Sequence, residues 1–439
     1  MVALLARDPN VAADAVIRLQ QRLEAAGLAL PLRLWDGRVT GPSEPDYRLV
    51  LHHPWSLRAM LVPPTDLQVG ESYLRGAVDI EGSMVAALRE LVRLREGLTT
   101  RGQLAIAGLL ARLPAPPNDL DHSGRAMLRG SRHSQGRDAA AIRHHYDVGD
   151  ELYRRFLDRD LVYSCAYFAD GDRRTSVSDR AVLDRAQRRK LELVCRKLAL
   201  RPGDRFLDVG CGWGSLVIHA AREHGVEALG ITLSENQAAL ARQRVADAGL
   251  ADQVRIELLD YREVDARFDA IASVGMVEHV GADELDHYFA RLHELLGDDG
   301  RLLNHGITTG QRDVVRDFAA EPNSFIGRYV FPDGALVPAH LMARHVERNG
   351  FELQDVQQLR PHYARTLEHW VANLETSYDE VVDAVGDRTA RVWRAYMAGS
   401  AVAFERGDLG VVQILATRGD ADLPLDRDHH ALGPYGSPD

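Results

Sequence analysis

The sequence predicts an α/β fold: a Rossmann-like, doubly wound sheet of seven strands, preceded by a smaller N-terminal α+β domain. From residue 201 onward, strand-like and helix-like segments alternate, as they do in doubly wound sheets. The apolar run 206–209 ends in glycines at 210, 212 and 214, and a helix-compatible segment follows from Ser215. The 439 residues are enough for two or three domains.

Short apolar runs bounded by polar or glycine-containing turns predict the strands of the sheet. The predicted strands are 205–209, 227–231, 254–258, 268–274, 300–306, 351–358 and 411–417. A long helical region, about 365–403, precedes the last strand. We place the catalytic domain at 142–420 and a disordered tail at 421–439.

The N-terminal domain is predicted at 1–113. An amphipathic helix over 11–27 is followed by strand-like runs at 32–35 and 47–51, with a hairpin turn at Asp36–Gly37 and a helix at about 82–97. Prolines then open a linker at 114–141, where arginines concentrate positive charge. That charge is typical either of a solvated linker or of one that meets anionic lipid headgroups. The arginines are Arg125, Arg129, Arg132, Arg137 and Arg143.

Composition excludes several classes of protein. A net charge of −11 argues against bulk nucleic-acid binding. The three cysteines make no disulfide framework and show no zinc spacing, so we predict no metal and a reducing cytoplasm. The N-terminus lacks the apolar core of a signal peptide, and no apolar run approaches the roughly 18 residues of a membrane span. Any membrane contact is therefore expected to be peripheral, at the inner face.

The glycine turn is typical of a cofactor site, because glycines admit close backbone approach and the helix that follows offers free N–H groups. Its G-x-G-x-G spacing, with Asp208 two residues earlier, resembles motif I of S-adenosylmethionine (SAM) dependent methyltransferases rather than the dinucleotide G-x-G-x-x-G. The alternative is a strand–turn–helix connection in which the glycines serve only the fold and bind no cofactor. Thr232 ends the second strand where many folds place an acid, Ser234 is a candidate N-cap, and Gln237 follows, so Thr232 and Gln237 are candidates for ribose contacts.

Further motifs occur in a fixed order: HYDVGDELY from 145, YSCAYF from 163, LDVGCGWG from 207, GITLSENQ from 230, DYR from 260 and GMVEHVG from 275. Together they closely resemble the cyclopropane-fatty-acyl-phospholipid synthase family, which is related to the mycolic acid cyclopropane synthases. The resemblance covers about 140–418, and the N-terminal part resembles the family's accessory domain more loosely.

The resemblance implies transfer of the SAM methyl group to a cis double bond of a phospholipid acyl chain, followed by ring closure with bicarbonate as the base. It implies peripheral membrane contact and a possible homodimer. The implied bicarbonate residues are Cys165, Glu278, His305, Ile307 and Tyr363. The implied SAM residues are Tyr163, Ser164, Asp208, Gly210, Gly212, Thr232, Leu233 and Gln237, with Tyr261 and Arg262 flanking the adenine.

Alternatives stay open. Taken singly, Cys165, His305 and Tyr363 are explained by ordinary packing or hydrogen bonding, Glu278 by the helix dipole, and Arg262 by a salt bridge. Only their joint occurrence within the motifs favours catalysis. A methyltransferase making methylene- or methyl-branched chains, a SAM-binding scaffold without catalysis, and an NAD-dependent dehydrogenase are the other hypotheses.

Overall fold

The computed structural model describes residues 9–25, 27–28, 30–117, 136–138, 141, 145, 148–310, 314–318, 321, 324–419, 421 and 423. Most of the predicted linker and tail lies outside the described residues, as do Arg125, Arg129, Arg132 and Arg143. Among the helices that are described, none is both long and apolar enough to cross a membrane.

The N-terminal part mixes helices with short strands. Its helices are α1 (Pro9–Ala25), α2 (Ser56–Leu61), α3 (Asp66–Leu74), α4 (Met84–Gly97) and α5 (Thr100–Leu110), and its strands are β1 (Leu32–Arg33), β2 (Val39–Thr40), β3 (Tyr47–Leu51) and β4 (Val78–Gly82). The strands form a sheet in the order β2-β1-β3-β4. The turn at Asp36–Gly37 joins β1 and β2 in antiparallel pairing, as predicted.

The remainder of the chain alternates strands and helices. In chain order it contains α6 (Asp150–Phe156), α7 (Arg180–Lys197), β5 (Arg205–Val209), α8 (Ser215–His224), β6 (Glu227–Thr232), α9 (Glu235–Asp247), β7 (Val254–Leu258), β8 (Phe268–Val274), α10 (Leu285–Leu295), β9 (Leu296–Thr309), β10 (Arg316–Asp317), α11 (Phe325–Tyr329), β11 (Ala335–Leu336), α12 (Ala339–Arg348), β12 (Glu352–Gln358), α13 (Arg360–Thr376), α14 (Tyr378–Val385), α15 (Asp387–Arg406) and β13 (Leu409–Thr417).

Seven of these strands form one sheet, in the order β12-β13-β9-β8-β5-β6-β7. Strands β9, β8, β5, β6 and β7 pair in parallel, whereas β13 is antiparallel to both β9 and β12. All seven predicted strands are present, and the α/β class is confirmed. The order of parallel strands reverses around β5, and such a reversal opens a crevice at the carboxyl ends of the strands.

Both faces of this sheet are buried. Strand β5 shows why, since Phe206 packs into one apolar cluster while Leu207 and Val209 pack into the other. Successive side chains of a strand point to opposite faces, so a short continuous apolar run fills two cores at once. Helices α7, α8 and α9 contribute to the first cluster, and α10 and α12 contribute to the second.

The compact units of the chain do not follow the contiguous boundaries expected from the sequence. One unit contains Met1–Arg125 together with Glu321–Val330 and Leu374–Val402, and the other contains Ala126–Ala320, Phe331–Asn373 and Ala403–Asp439. Buried Arg394 explains part of this division, because it donates to the carbonyl oxygens of Ile80 and Gly82 in β4. Helices α14 and most of α15 thus belong with the N-terminal elements, and the expected catalytic domain 142–420 is interrupted.

Candidate active site

A cavity lies at the carboxyl ends of β5, β6 and β8. It encloses about 950 Å³, including space open to solvent. Nine of the ten residues predicted for the cofactor line it: Tyr163, Ser164, Asp208, Gly210, Gly212, Thr232, Leu233, Gln237 and Tyr261. Segments far apart in sequence therefore converge where the sheet topology predicts a ligand.

The glycine turn lines this cavity. Gly210 has φ +84° and Gly212 has φ +53°, a region of backbone conformation that L side chains rarely adopt. A Cβ atom built on Gly212 meets no atom within 4 Å, so the turn leaves space that a ligand can fill. Helix α8 begins directly after the turn, with Gly214 as its N-cap residue.

The end of β6 presents a connected set of polar groups. Thr232 Oγ1 donates to Gln237 Oε1 at 2.7 Å, and the Ser234 hydroxyl accepts from the Gln237 backbone N–H at 3.2 Å. The predicted N-cap at Ser234 is confirmed. In this arrangement Gln237 Oε1 is engaged by Thr232, and the amide NH2 group is the one available for a ligand.

Lys190 of α7 is a cavity residue that the sequence reasoning missed. Its Nζ donates to Ser164 Oγ at 2.9 Å, and the side chain is buried. Burial lowers the pKa of Lys190 to about 8, although nearby carboxylates, Asp158 first among them, oppose the shift. In the sequence this lysine sits in an arginine-rich helix that looks solvated, so no local signal distinguished it.

Asp208 faces the same cavity from the end of β5. Burial raises the pKa of its carboxyl group to about 7, and the charge of Lys190 opposes that rise. Asp208 Oδ1 is buried and has no hydrogen-bond partner within the described residues. A buried acceptor of this kind fits a ligand that brings its own N–H donors.

Arg262 departs from the expectation. It lines a neighbouring cavity of about 910 Å³ rather than the one described above. Its guanidinium donates to both carboxylate oxygens of Asp260, at 2.8 and 2.6 Å, and to Asp138 at 3.2 Å. Arg262 therefore stabilises the turn that contains Tyr261. This agrees with the alternative that Arg262 forms a structural salt bridge.

Glu278 contacts Ile307, which is a residue of strand β9. The Ile307 backbone N–H donates to Glu278 Oε1 at 2.6 Å. Burial raises the pKa of Glu278 to about 7, against the effect of that hydrogen bond. The second oxygen, Glu278 Oε2, is buried and finds no partner in the part of the chain that the structure describes.

His305 lies two residues before Ile307 in β9, and its carbonyl oxygen accepts from the backbone N–H of the cavity residue Gly275 at 2.8 Å. Burial lowers the pKa of His305 to about 3, and the charges of two lysines act in the same direction. Its Nδ1 lies 3.2 Å from Gln413 Nε2. Its Nε2 has no partner among the described residues. The imidazole is neutral and is a candidate hydrogen-bond donor or acceptor, not a cation.

Cys165 and Tyr363 are tied to the same region through Leu359. The Leu359 carbonyl oxygen lies 3.8 Å from Cys165 Sγ and accepts a hydrogen bond from the Tyr363 backbone N–H. The Leu359 N–H donates to the carbonyl oxygen of Val411, and Val411 is the cross-strand partner of Ile307. Burial raises the pKa of the Cys165 thiol. The thiol is thus protonated and is a weak hydrogen-bond donor rather than a nucleophile.

Aromatic rings form a continuous cluster from the cavity to Tyr363. Tyr163 stacks on Trp370 with centroids 5.2 Å apart, Trp370 lies edge-on to Tyr363 at 6.0 Å, and Tyr363 contacts Phe404 at 4.6 Å. Trp370 and Phe404 were missed by the sequence reasoning, since an aromatic residue in a helix usually indicates core. Aromatic faces attract cations by roughly 0.5–2 kcal/mol each.

The fold also brings together Cys195, His219 and His224, whose possible ligand atoms lie within 4.8 Å of one another. No sequence spacing indicated this group. Both imidazole Nε2 atoms lie 3.1 Å from Glu192 Oε2, and these hydrogen bonds hold the pKa of Glu192 well below its usual range. The carboxylate accounts for both histidines, and we propose no metal there.

Comparison with known proteins identifies the family. A model of the family described as mycolic acid cyclopropane synthetase matches residues 133–414. This chain belongs to that family. It is a SAM-dependent methyltransferase of the class I fold, as the sequence motifs predicted.

Two curated relatives and one solved structure define the similarity. The chain is 39% identical over 419 residues to a probable fatty acid methyltransferase of Pseudomonas putida, covering 94% of this chain and 98% of the relative. It is 35% identical over 308 residues to the cyclopropane-fatty-acyl-phospholipid synthase of Escherichia coli, covering 69% and 75%. The crystal structure of mycolic acid cyclopropane synthase CmaA1 complexed with SAH and CTAB superposes with a TM-score of 0.57 at 33% identity, covering 64% and 98%.

Proposed function

We propose that this methyltransferase is a cyclopropane-fatty-acyl-phospholipid synthase, which transfers the SAM methyl group to a cis double bond of a phospholipid acyl chain and closes a ring. The observation that carries the proposal is a pair of buried atoms, Glu278 Oε2 and His305 Nε2, that find no hydrogen-bond partner within the described residues. Glu278 lies in the short turn after β8, between the cavity residues Met276 and His279, and the carbonyl oxygen of His305 in β9 accepts from the cavity residue Gly275. A methyltransferase that only added a methyl group to a heteroatom would not need such a pair.

The cavity fits SAM. Asp208 Oδ1 is an unpartnered acceptor suited to the methionine ammonium, and the Lys190 ammonium is the matching group for the carboxylate. The Gln237 amide NH2 group is available to donate to a ribose hydroxyl of SAM. The open space over Gly212 lets SAM approach the backbone of the glycine turn. When bound, SAM supplies an electrophilic methyl group.

The aromatic cluster fits the charge that develops on the acyl chain. Methyl addition to a double bond leaves positive charge on the second carbon of that bond. The rings of Tyr163, Trp370 and Tyr363 stabilise such charge without attacking it, whereas an exposed carboxylate would trap it as an ester. The protonated Cys165 thiol is likewise not a nucleophile.

The second cluster fits bicarbonate, which supplies a base when bound. Bicarbonate carries acceptor oxygens and one O–H donor, and the site offers the complementary groups. Glu278 Oε2 is a buried acceptor without a partner among the described residues, and His305 Nε2 is a buried ring nitrogen in the same condition. The Ile307 N–H donates to Glu278 Oε1 and thereby positions this carboxyl group.

Phospholipid as substrate and peripheral contact at the cytoplasmic membrane face remain part of the proposal, as does a homodimer. The linker arginines were expected to dock on anionic lipid. Arg137 does not support that role, because its guanidinium forms two hydrogen bonds with buried Asp333, at 2.6 and 2.8 Å. Arg125, Arg129, Arg132 and Arg143, outside the described residues, are the remaining candidates.

The name of the Pseudomonas relative favours a second candidate, a fatty acid methyltransferase that leaves a methylene or methyl branch. Product structure separates the two. Purified protein is incubated with SAM and vesicles of cis-unsaturated phospholipid, and the acyl chains are examined by mass spectrometry and proton NMR. A gain of one CH2 with upfield ring protons and no olefinic signal supports the synthase.

The same gain with vinylidene protons would assign the protein to the branching class. No gain, with SAM still bound, would favour another acyl carrier or the scaffold hypothesis. Retention of NAD in place of SAM would contradict both enzyme proposals.

A further inference from the structure

Gln413 is a buried polar side chain that the proposed chemistry does not yet use. It lies in β13, directly across the ladder from His305 in β9, and both side chains are almost completely buried. Its amide Nε2 lies 3.2 Å from His305 Nδ1. Gln413 therefore contacts the side of the imidazole opposite to Nε2.

The Gln413 amide is oriented with its NH2 group, not its oxygen, toward His305 Nδ1, and this orientation determines where the proton lies. A primary amide NH2 group donates hydrogen bonds and does not accept them. His305 Nδ1 must therefore accept with its lone pair. A neutral imidazole carries one proton, so that proton is on Nε2.

The same ring nitrogen is the unpartnered one. His305 Nε2 is buried without a hydrogen-bond partner in the described part of the chain, which is costly for an N–H group. Ile307, two residues later in β9, binds Glu278 Oε1 through its backbone N–H at 2.6 Å. The other oxygen of Glu278 is also unpartnered among the residues described. His305 thus offers a buried donor and Glu278 a buried acceptor, and an anion that also carries an O–H group has the complementary acceptor and donor.

We infer that Gln413 is a positioning residue: by donating to His305 Nδ1 it holds the imidazole neutral with its proton on Nε2, as the donor to the bicarbonate of the reaction. The choice of bicarbonate rests on the proposed function, whereas the assignment of the tautomer does not. Burial, which lowers the pKa of His305 to about 3, keeps the ring neutral at physiological pH.

The opposite tautomer would present a lone pair to an anion. Nε2 would then repel the bicarbonate oxygen that it is placed to bind. In a serine protease, loss of the group that fixes the histidine tautomer lowers kcat by about 10⁴. The lost contact here is one hydrogen bond to a charged ligand, for which a loss of affinity of about tenfold or more is expected.

The direct test is NMR of protein labelled with 15N-histidine, in which protonated and unprotonated ring nitrogens give separate signals. His305→Asn assigns the resonance. We expect Nδ1 to be unprotonated and Nε2 protonated in the wild type at neutral pH, and the Nε2 signal to move when bicarbonate is added. Proton on Nδ1 in the wild type would overturn the inference.

Two substitutions alter the donor. Gln413→Met removes it, and Gln413→Glu replaces it with an acceptor that draws the proton to Nδ1. Gln354→Met is the control, because Gln354 lies in β12, on the other side of β13, and its amide donates to Thr417 Oγ1 at 3.1 Å without contact to His305. We expect both Gln413 variants, but not the control, to change the tautomer signals.

Kinetics supply a second readout. In CO2-depleted buffer with titrated bicarbonate, Gln413→Met should raise the bicarbonate concentration for half-maximal rate by about tenfold or more, with the KM for SAM unchanged. An unchanged bicarbonate dependence in Gln413→Met would overturn the inference.

The experiments distinguish failure of the proposed function from failure of this inference. If the wild-type protein forms no cyclopropane product, the synthase proposal is refuted, but the His305 tautomer and its response to bicarbonate still decide the role of Gln413. If Gln413→Met does not fold, as judged by SAM binding, the wild-type tautomer decides alone.

Discussion

Glu278→Gln should stabilise the fold while it abolishes ring closure. The carboxyl group is buried, and its pKa is raised from 4.5 to about 7 because burial penalises the charge. The glutamine side chain keeps an oxygen that can accept from the Ile307 N–H, now at 2.6 Å from Glu278 Oε1. The substitution thus removes a buried charge without leaving the backbone donor unpaired.

The magnitude follows from the shift. Each pKa unit corresponds to about 1.4 kcal/mol, so the rise from 4.5 to about 7 corresponds to about 3 kcal/mol. The folded state holds the Glu278 proton more tightly than the unfolded state. Stability is therefore lost as pH rises from 4.5 to about 7, and the full penalty is present above that range. The variant should be more stable than the wild type by up to about 3 kcal/mol above neutral pH, with little difference near the acid end.

Urea unfolding followed by tryptophan fluorescence, at one pH below and one above this window, measures the difference. Glu192→Gln is the matched control of opposite sign. Hydrogen bonds from His219 and His224 lower the pKa of Glu192, so its replacement should destabilise the fold at neutral pH. A Glu278→Gln variant that is no more stable than wild type at the higher pH would refute the reasoning.

Three further outcomes are expected. Gly212→Val should weaken SAM binding by about tenfold or more in calorimetry, because the valine side chain fills the cavity. Gly203→Val is the control, since Gly203 has φ +85° and open space around it and the substitution introduces similar backbone strain away from the cavity. Equal SAM affinities of the two variants would contradict the role of the glycine turn in binding. Lys190→Met should lower SAM affinity by about tenfold or more through loss of a charge-assisted hydrogen bond, and unchanged calorimetric affinity would remove Lys190 from the site. Binding to anionic phospholipid vesicles, measured by co-sedimentation, should weaken as salt is raised, and salt-insensitive binding would argue against arginine docking.

The sequence predicted the sheet well because each strand is a short apolar run between turn residues. Strand β5 shows this most clearly, since four apolar or buried residues end at a glycine turn whose conformation few other residues adopt. The predicted start of β9 at 300 was late, because Gly297, Asp298 and Asp299 are typical of a turn and conceal the beginning of the strand at Leu296.

Long-range partners were beyond the reach of sequence patterns. Lys190 and Gln413 acquire their meaning only when α7 packs beside Ser164 and when β13 pairs with β9. The boundaries of the compact units were hidden for the same reason, since a buried Arg394 in α15 and its acceptors in β4 are more than 300 residues apart in the chain. Periodicity reports which residues are buried, not which distant segment buries them.

The most direct test of ring closure uses SAM with a fully deuterated methyl group, together with vesicles of a cis-monounsaturated phospholipid. If the proton is removed from the new methyl group, the acyl chain gains one CD2, retains two of the three deuterons, and shows deuterium in an upfield ring position without olefinic protons. Retention of all three deuterons would show that the proton was lost from the chain instead, and would contradict ring closure through the methyl carbon.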